Sequence, residues 1–216
     1  MGKRPKNEKI PRRAGRPQKP IAKDKLLSIA RAVFAESGYA GASLNEIARR
    51  ANLRKASLFH HFPSKETLYR EVVGEVIGDL GRLVEDARLD RGSFRRRLDR
   101  LGELVIQYLG ARRNTARLLL REVLDRGPYM RGEGSPVIQS TLEMIAAFLQ
   151  SGMDEGSVER QDPQQLALSI TGLHLLYFVA SDVSSRFLGE DIFSEEMLRI
   201  RKSELISQVA RLCGLK

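Results

Sequence analysis

The stretch SLNEIARRANLRKASLFHHFPSKETLY, residues 43–69, packs several helix starts and stops into a short span. Ser43-Leu44-Asn45-Glu46 has the spacing of a capping box, in which the serine oxygen accepts the N–H three residues on and the glutamate reaches back. Leu44, Ile47, Ala48 and Ala51 then supply one apolar face, and the run ends near residues 51–53. A second short helix is predicted from Arg54 to about His61, with Leu58 and Phe62 turned inward and Pro63 closing it. Ser64 caps a longer helix reaching about Arg88, with Glu66 in its first turn at the positive end of the dipole. Two short helices joined by a tight turn have the dimensions of a helix-turn-helix, whose second helix enters the major groove of DNA. In that setting Lys55 donates to guanine O6 or N7, Ser57 to a base or a phosphate and Arg54 to either, and small Ala56 lets the backbone approach.

Outward from this core the helical pattern continues. Upstream, Leu26, Leu27, Ile29, Ala30, Val33 and Phe34 fall on one face of a helix over residues 22–37 that stops at Gly38. Downstream, helices are predicted at 94–112, 114–126, 136–154, 163–187 and 194–213, separated by segments rich in Gly, Pro, Asp or Ser. No alternating run of strand length occurs, so the fold class is all-α: an N-terminal three-helix helix-turn-helix domain and a larger C-terminal helical bundle, with about nine helices. The organisation expected is a basic arm at 1–20, a DNA-binding domain at 21–68 and a ligand-binding and dimerisation domain at 69–216.

The charge is unevenly placed. Of a formal net charge of +10, the first 25 residues hold ten Lys or Arg against Glu8 and Asp24. A cationic arm of this kind suits a polyanion, because each phosphate that it neutralises releases condensed counterions. The single cysteine forms no internal disulfide, and the N-terminal residues lack the apolar stretch of a secretory signal, so a cytoplasmic protein is expected. The uncharged segment 163–181 is the best membrane candidate, but its apolar part is short of the ~20 residues a span needs, and no membrane association is expected.

The stretch AVFAESGYAGASLNEIARRANLRKASLFHHFPSKETLYREVV, residues 32–73, resembles the DNA-binding domain of the tetracycline-repressor (TetR) family of bacterial transcription regulators. The resemblance runs over residues 22–72; the later regions are similar to the family in helix number, length and order. It implies that Ser43, Asn45, Lys55, Ala56, Ser57, Phe59, His60 and His61 face DNA and that Lys65 holds a phosphate. Three positions depart from the family pattern. Phe59 stands where tyrosine is usual, which removes a phenolic donor to phosphate, and Asn52 replaces the usual turn glycine. Asparagine tolerates a left-handed backbone better than most residues. Arg54 replaces a small capping residue and adds a cation near the DNA. In the arm, RRAGRPQKP (12–20) resembles an AT-hook core, with Arg13 and Arg16 as the candidate minor-groove or phosphate contacts.

The same resemblance implies a homodimer, a double-stranded palindromic operator and a small-molecule effector. The expected interface pairs the uncharged helix with the last one, which carries Met197, Leu198, Ile200, Leu205, Ile206, Val209 and Leu212. The candidates for an effector cavity are Tyr108, Leu119, Glu122, Val123, Tyr129, Met144, Phe148, His174 and Tyr177, apolar groups with a few polar ones among them. An enzyme is not expected, since there is no Gly-rich phosphate loop, paired cysteine or nucleophile elbow. No cofactor or metal is expected either: His60 and His61 are adjacent, about 100° apart on a helix, whereas zinc ligands on helices prefer spacings of three or four. The reading is a sequence-specific, ligand-responsive repressor; the alternative is a ligand-independent architectural or regulatory DNA-binding protein.

Overall fold

A computed structural model describes residues 21–132 and 134–215. Among the described residues the chain forms eleven α-helices. They are α1 (Lys23–Gly41), α2 (Leu44–Arg50), α3 (Lys55–His61), α4 (Lys65–Leu89), α5 (Phe94–Ala111) and α6 (Thr115–Leu124). There follow α7 (Pro128–Arg131), α8 (Gly134–Asp154), α9 (Pro163–Val179), α10 (Ser181–Leu188) and α11 (Glu195–Leu212).

The count of about nine is corrected at two places. The segment between α6 and α8, expected to be a loop, contains the short α7, which begins with Pro128 at its first position, where a missing N–H costs nothing. The expected helix over 163–187 is two helices that meet at 76°. Its apolar composition hides the bend, because Ala180 adopts a non-helical conformation there and Ser181 and Asp182 open the next helix. Arg117 of α6 reaches across to the Asp182 carboxylate at 2.9 Å and the Ser181 hydroxyl at 3.4 Å, tying the start of α10 to the bundle. Among the described residues no single helix is long and apolar enough to cross a membrane.

The hydrophobic residues gather in two clusters. The head cluster joins Leu26, Ala30, Val33 and Phe34 of α1 to Ile47 and Ala48 of α2, Leu58 of α3, and Leu68, Tyr69, Val72 and Val73 of α4. The body cluster is built on Phe94, Leu98 and Ile106 of α5, Phe148 and Leu149 of α8, Ile170 and Phe178 of α9 and Leu205 of α11. Helix α4 belongs to both: Ile77 lies in the head cluster, Val84 and Ala87 in the body. With 25 residues at 1.5 Å rise it is roughly 37 Å long, enough to run through both. Leu118 of α6 completes the head cluster from the body side, so the two cores meet along α4 and α6.

Gly38 interrupts α1 at φ 68°, ψ 174°, a left-handed conformation that an L side chain adopts only with strain. The helix stops there as expected, and a further turn follows to Gly41.

Candidate nucleic-acid interface and effector cavity

Helix α2 starts at Ser43, whose hydroxyl oxygen accepts the N–H of Asn45 at 3.2 Å. The reciprocal half of the expected capping box does not form. The Glu46 carboxylate instead accepts from Arg49 at 2.8 Å and Arg50 at 2.7 Å, one turn along the same helix. These hydrogen bonds hold the Glu46 carboxyl down to about 2, and two guanidinium donors outcompete a single backbone N–H. Arg50 also pairs with Glu36 of α1 at 2.8 Å, so both α2 arginines are neutralised within the protein.

The turn into α3 passes through Asn52 at φ 52°, the conformation that a turn glycine would otherwise supply. Helix α3 buries Leu58 alone, against the head cluster. Arg54, Lys55, Ala56, Ser57, Phe59, His60 and His61 stay out of the core, and so do Ser43 and Asn45. The Lys55 ammonium lies 5.6 Å from the centre of the Phe59 ring, and the His60 and His61 rings are 5.9 Å apart. Unlike the α2 arginines, Arg54 and Lys55 form no ion pair with any described residue. Lys65 is half-buried: its ammonium sits over the Tyr39 ring at 4.6 Å and donates to the carbonyls of Ala40 and Ala42 at 3.3 and 3.2 Å. Two of its three N–H groups therefore brace the α1–α2 connection, which leaves one for a phosphate. Arg13 and Arg16 lie outside the described residues.

A cavity of about 350 Å³ opens in the body between α4, α5, α6, α8 and α9. Its wall is almost wholly Leu, Ile and Val, including Ile77, Leu80 and Val84 of α4, Leu101 and Val105 of α5 and Ile138, Leu142 and Ile145 of α8. The polar side chains among the described lining residues are Glu122, Thr141, Thr171 and His174. His174 and Glu122 are both buried. The His174 Nδ1–H donates to the Ile170 carbonyl at 2.8 Å, while Nε2 is buried without a partner. Burial, with a smaller contribution from the Arg201 charge, holds the His174 imidazole down to about 4 against the opposing pull of the Ile170 hydrogen bond.

Comparison with known proteins fits this geometry. Residues 26–72 match the family model described as "Bacterial regulatory proteins, tetR family", and residues 95–209 match the one described as "Tetracyclin repressor-like, C-terminal domain". The chain belongs to the TetR family. This makes it a DNA-binding transcriptional regulator, in a family of regulators rather than enzymes. Among curated relatives, the "Biofilm operon icaADBC HTH-type negative transcriptional regulator IcaR" of Staphylococcus aureus (strain Newman) is 45% identical over 51 residues, 24% of this chain and 27% of that protein. The chain thus spans about a quarter of the length of the curated relative that it matches. Among solved structures, a TetR-family protein from Rhodococcus RHA1 superposes with a TM-score of 0.72 at 20% identity, covering 91% of this chain and all of that one (100%). FadR from Bacillus subtilis, solved in complex with stearoyl-CoA, superposes with a TM-score of 0.65 at 16% identity, covering 86% and 98%. At these identities the likeness is one of fold.

In this TetR-family chain, Leu119, Glu122, Val123 and His174 of the nine cavity candidates line the cavity. The other five lie elsewhere. The Tyr108 hydroxyl donates to Asp79 at 2.9 Å, Phe148 stacks on Phe94 at 4.9 Å, and Arg201 covers the Tyr177 ring at 4.5 Å. Tyr129 lies against Gly74 of α4, and Met144 packs on the body cluster. Helical phase explains the division: on α8 the cavity takes residues 138, 141, 142 and 145, whereas 144 and 148 form a different stripe. Thr141 and Thr171, hydroxyls on otherwise apolar faces, also line the cavity, and their isolation among apolar neighbours is the signal that marks them in the sequence.

Sequence reasoning also missed Tyr69. Its hydroxyl donates to one Glu122 oxygen at 2.5 Å, and the other oxygen accepts the Met130 N–H at 2.5 Å. Burial, and then this hydrogen bond, push the Tyr69 phenol well above its ordinary range, so it remains a donor. The Tyr69 ring meets Phe34 and Tyr39 edge-on at 4.8 and 5.0 Å. A cavity-lining carboxylate is therefore one hydrogen bond away from the aromatic centre of the head.

Proposed function

We propose that this regulator is a ligand-responsive repressor that binds a palindromic operator as a homodimer. The observation that carries the DNA-binding surface is α3, whose residues other than Leu58 avoid the interior and whose flanking cations, Arg54 and Lys55, lack ion-pair partners among the described residues. Arg54, Lys55, Ser57, Phe59, His60 and His61 would meet the major groove, with Ser43, Asn45 and Lys65 on flanking phosphates. Phe59 offers van der Waals contact with sugar or a thymine methyl, while the phosphate grip passes to the neighbouring cations.

Dimerisation is supported by an exposed apolar face on α9 and α10. Leu176, Val183 and Phe187 all stand out from the protein, Phe187 at 87% exposure. On the last helix Met197, Leu205 and Val209 turn inward, while Ile200 and Leu212 are exposed and available to the same interface. A two-fold pairing through α9 and α10 would present two copies of α3 to half-sites one helical turn, or a multiple of it, apart.

Ligand responsiveness is supported by the cavity and by its link to the head. A molecule that moves α6 at Glu122 acts on Tyr69 and the α1–α4 packing, and the Arg121 guanidinium of α6 also donates to the Glu36 carbonyl at 3.2 Å. IcaR is by name a negative regulator, which favours repression here too. Selection of bound duplexes from a random DNA pool tests the whole reading: a palindrome is expected, and enrichment of single unpaired half-sites would overturn the dimeric operator.

A further inference from the structure

The cavity of about 350 Å³ offers a ligand apolar area and no polar partner. The Thr141 hydroxyl donates to the Val137 carbonyl at 2.9 Å and the Thr171 hydroxyl to the Ala167 carbonyl at 2.8 Å, so both polar hydrogens are used within the helices that carry them. Both Glu122 oxygens accept, one from Tyr69 and one from Met130, residues that lie outside the lining. The His174 Nδ1–H donates to the Ile170 carbonyl, and Nε2 lies against Gly102 of α5, which does not line this cavity. No Lys or Arg stands among the described lining residues. What remains is a long aliphatic wall. On α4 it takes Ile77, Leu80 and Val84, and on α8 Ile138, Leu142 and Ile145, which is two turns of each helix or roughly 10 Å at 1.5 Å per residue.

The cavity opens where its own wall is exposed. Leu120 and Val123 of α6 and Leu168 of α9 belong to the lining and are 37%, 49% and 53% exposed. The α6 cations beside this mouth are already engaged, Arg117 with Asp182 and Ser181 and Arg121 with the Glu36 carbonyl, and α9 carries no charged residue. A polar group drawn inside would lose its water and gain no partner, whereas hydrocarbon displaces water that the wall cannot bond. The volume is more than twice the ~150 Å³ of an apolar cavity that takes benzene. We propose that the effector is a straight-chain amphiphile whose alkyl chain fills the cavity while its polar head, of either charge or none, stays in water at the mouth formed by Leu120, Val123 and Leu168. Such a site measures the chain and is indifferent to the head. This rests on the reading of the cavity as the effector site.

The test is titration calorimetry on the full-length protein, below micelle-forming concentrations, with alcohols of hexyl, octyl and decyl chain and with three octyl heads: 1-octanol, octanoate and octylammonium. Lengthening the chain by two methylenes is expected to tighten binding roughly tenfold, as burial of that much hydrocarbon should. The three heads are expected to agree within about threefold, less than one well-made hydrogen bond in a buried site would separate them. Val105→Phe, which places a ring in the cavity from α5, is expected to remove the gain from octyl to decyl while hexanol still binds. The wild-type series decides the matter even if that variant does not fold. Affinity that does not rise with chain length, a preference of more than about tenfold for either charged head, or a decyl gain that survives in Val105→Phe would overturn the proposal while leaving the cavity open to another effector. If no chain binds at any length, the effector-site reading fails and the proposal falls with it.

Discussion

Arg54 and Lys55 differ from Arg49 and Arg50 in one physical respect: no carboxylate among the described residues neutralises them. A cation without a carboxylate partner is available to DNA phosphate, so replacing Arg54 or Lys55 with alanine is expected to weaken operator binding. For each phosphate that is no longer neutralised, the slope of log affinity against log salt should fall by about 0.9, read by fluorescence anisotropy over a salt series. Replacing Arg49 should change the slope little, because its charge is already matched by Glu46 at 2.8 Å. Tyr69 calls for a different experiment. Tyr69→Phe leaves a buried Glu122 oxygen without its donor and is expected to cost about 1–3 kcal/mol in chemical denaturation. The exposed residues of α3 were legible in the sequence because an exposed face on a short helix is set by local periodicity. The bond between Tyr69 and Glu122 was not, because its partners stand 53 residues apart and meet only when α4 packs on α6.

The informative elements are the short or broken ones. Helix α1 is interrupted at Gly38, where φ is 68° and a Cβ would stand 3.0 Å from the Arg121 guanidinium. Gly38→Ala is therefore expected to destabilise the head by about 1–2 kcal/mol, measured as a lower denaturation midpoint. The bend between α9 and α10 gives the apolar residues 163–187 two jobs that one straight helix would not perform. On α9, Ile170, His174 and Phe178 face the interior and Leu168 borders the cavity, while Leu176 faces outward; on α10 nothing is buried. If the protein pairs as proposed, Phe187→Asp on α10 and Leu176→Asp on α9 are expected to convert the proposed dimer to a monomer in light scattering while the helical circular dichroism is retained. A persisting dimer in both variants would move the interface elsewhere. Composition announced an apolar helix here but not its break, since the contact of Arg117 with Ser181 and Asp182 is a tertiary one.

At the scale of the whole molecule, stability and response to pH meet at His174. Its folded imidazole is held down to about 4, chiefly by burial and further by the Arg201 charge, against an ordinary value of 6.5. The unfolded chain therefore takes up a proton before the folded one does. Stability from this residue is complete above pH 6.5 and is lost as the pH falls from there toward 4. At ~1.4 kcal/mol for each tenfold change in proton affinity, the loss is roughly 3 kcal/mol, and His174→Leu should flatten this part of the profile when denaturation is followed between pH 7 and pH 4. The same residue closes the cavity from α9, while Glu122 closes it from α6 and reaches the head.

The sequence by itself determined the all-α class, the order of the long helices, the helix-turn-helix and the exposed face of α3. These follow from caps, glycine and proline punctuation and apolar spacing, all of which act within a few residues. Only the tertiary structure decided which stripe of each body helix lines the cavity, where α9 gives way to α10, and that Met197, Leu205 and Val209 of α11 turn inward. Several body helices are apolar on more than one side, so composition leaves their rotation open. Packing against neighbours distant in the chain fixes it.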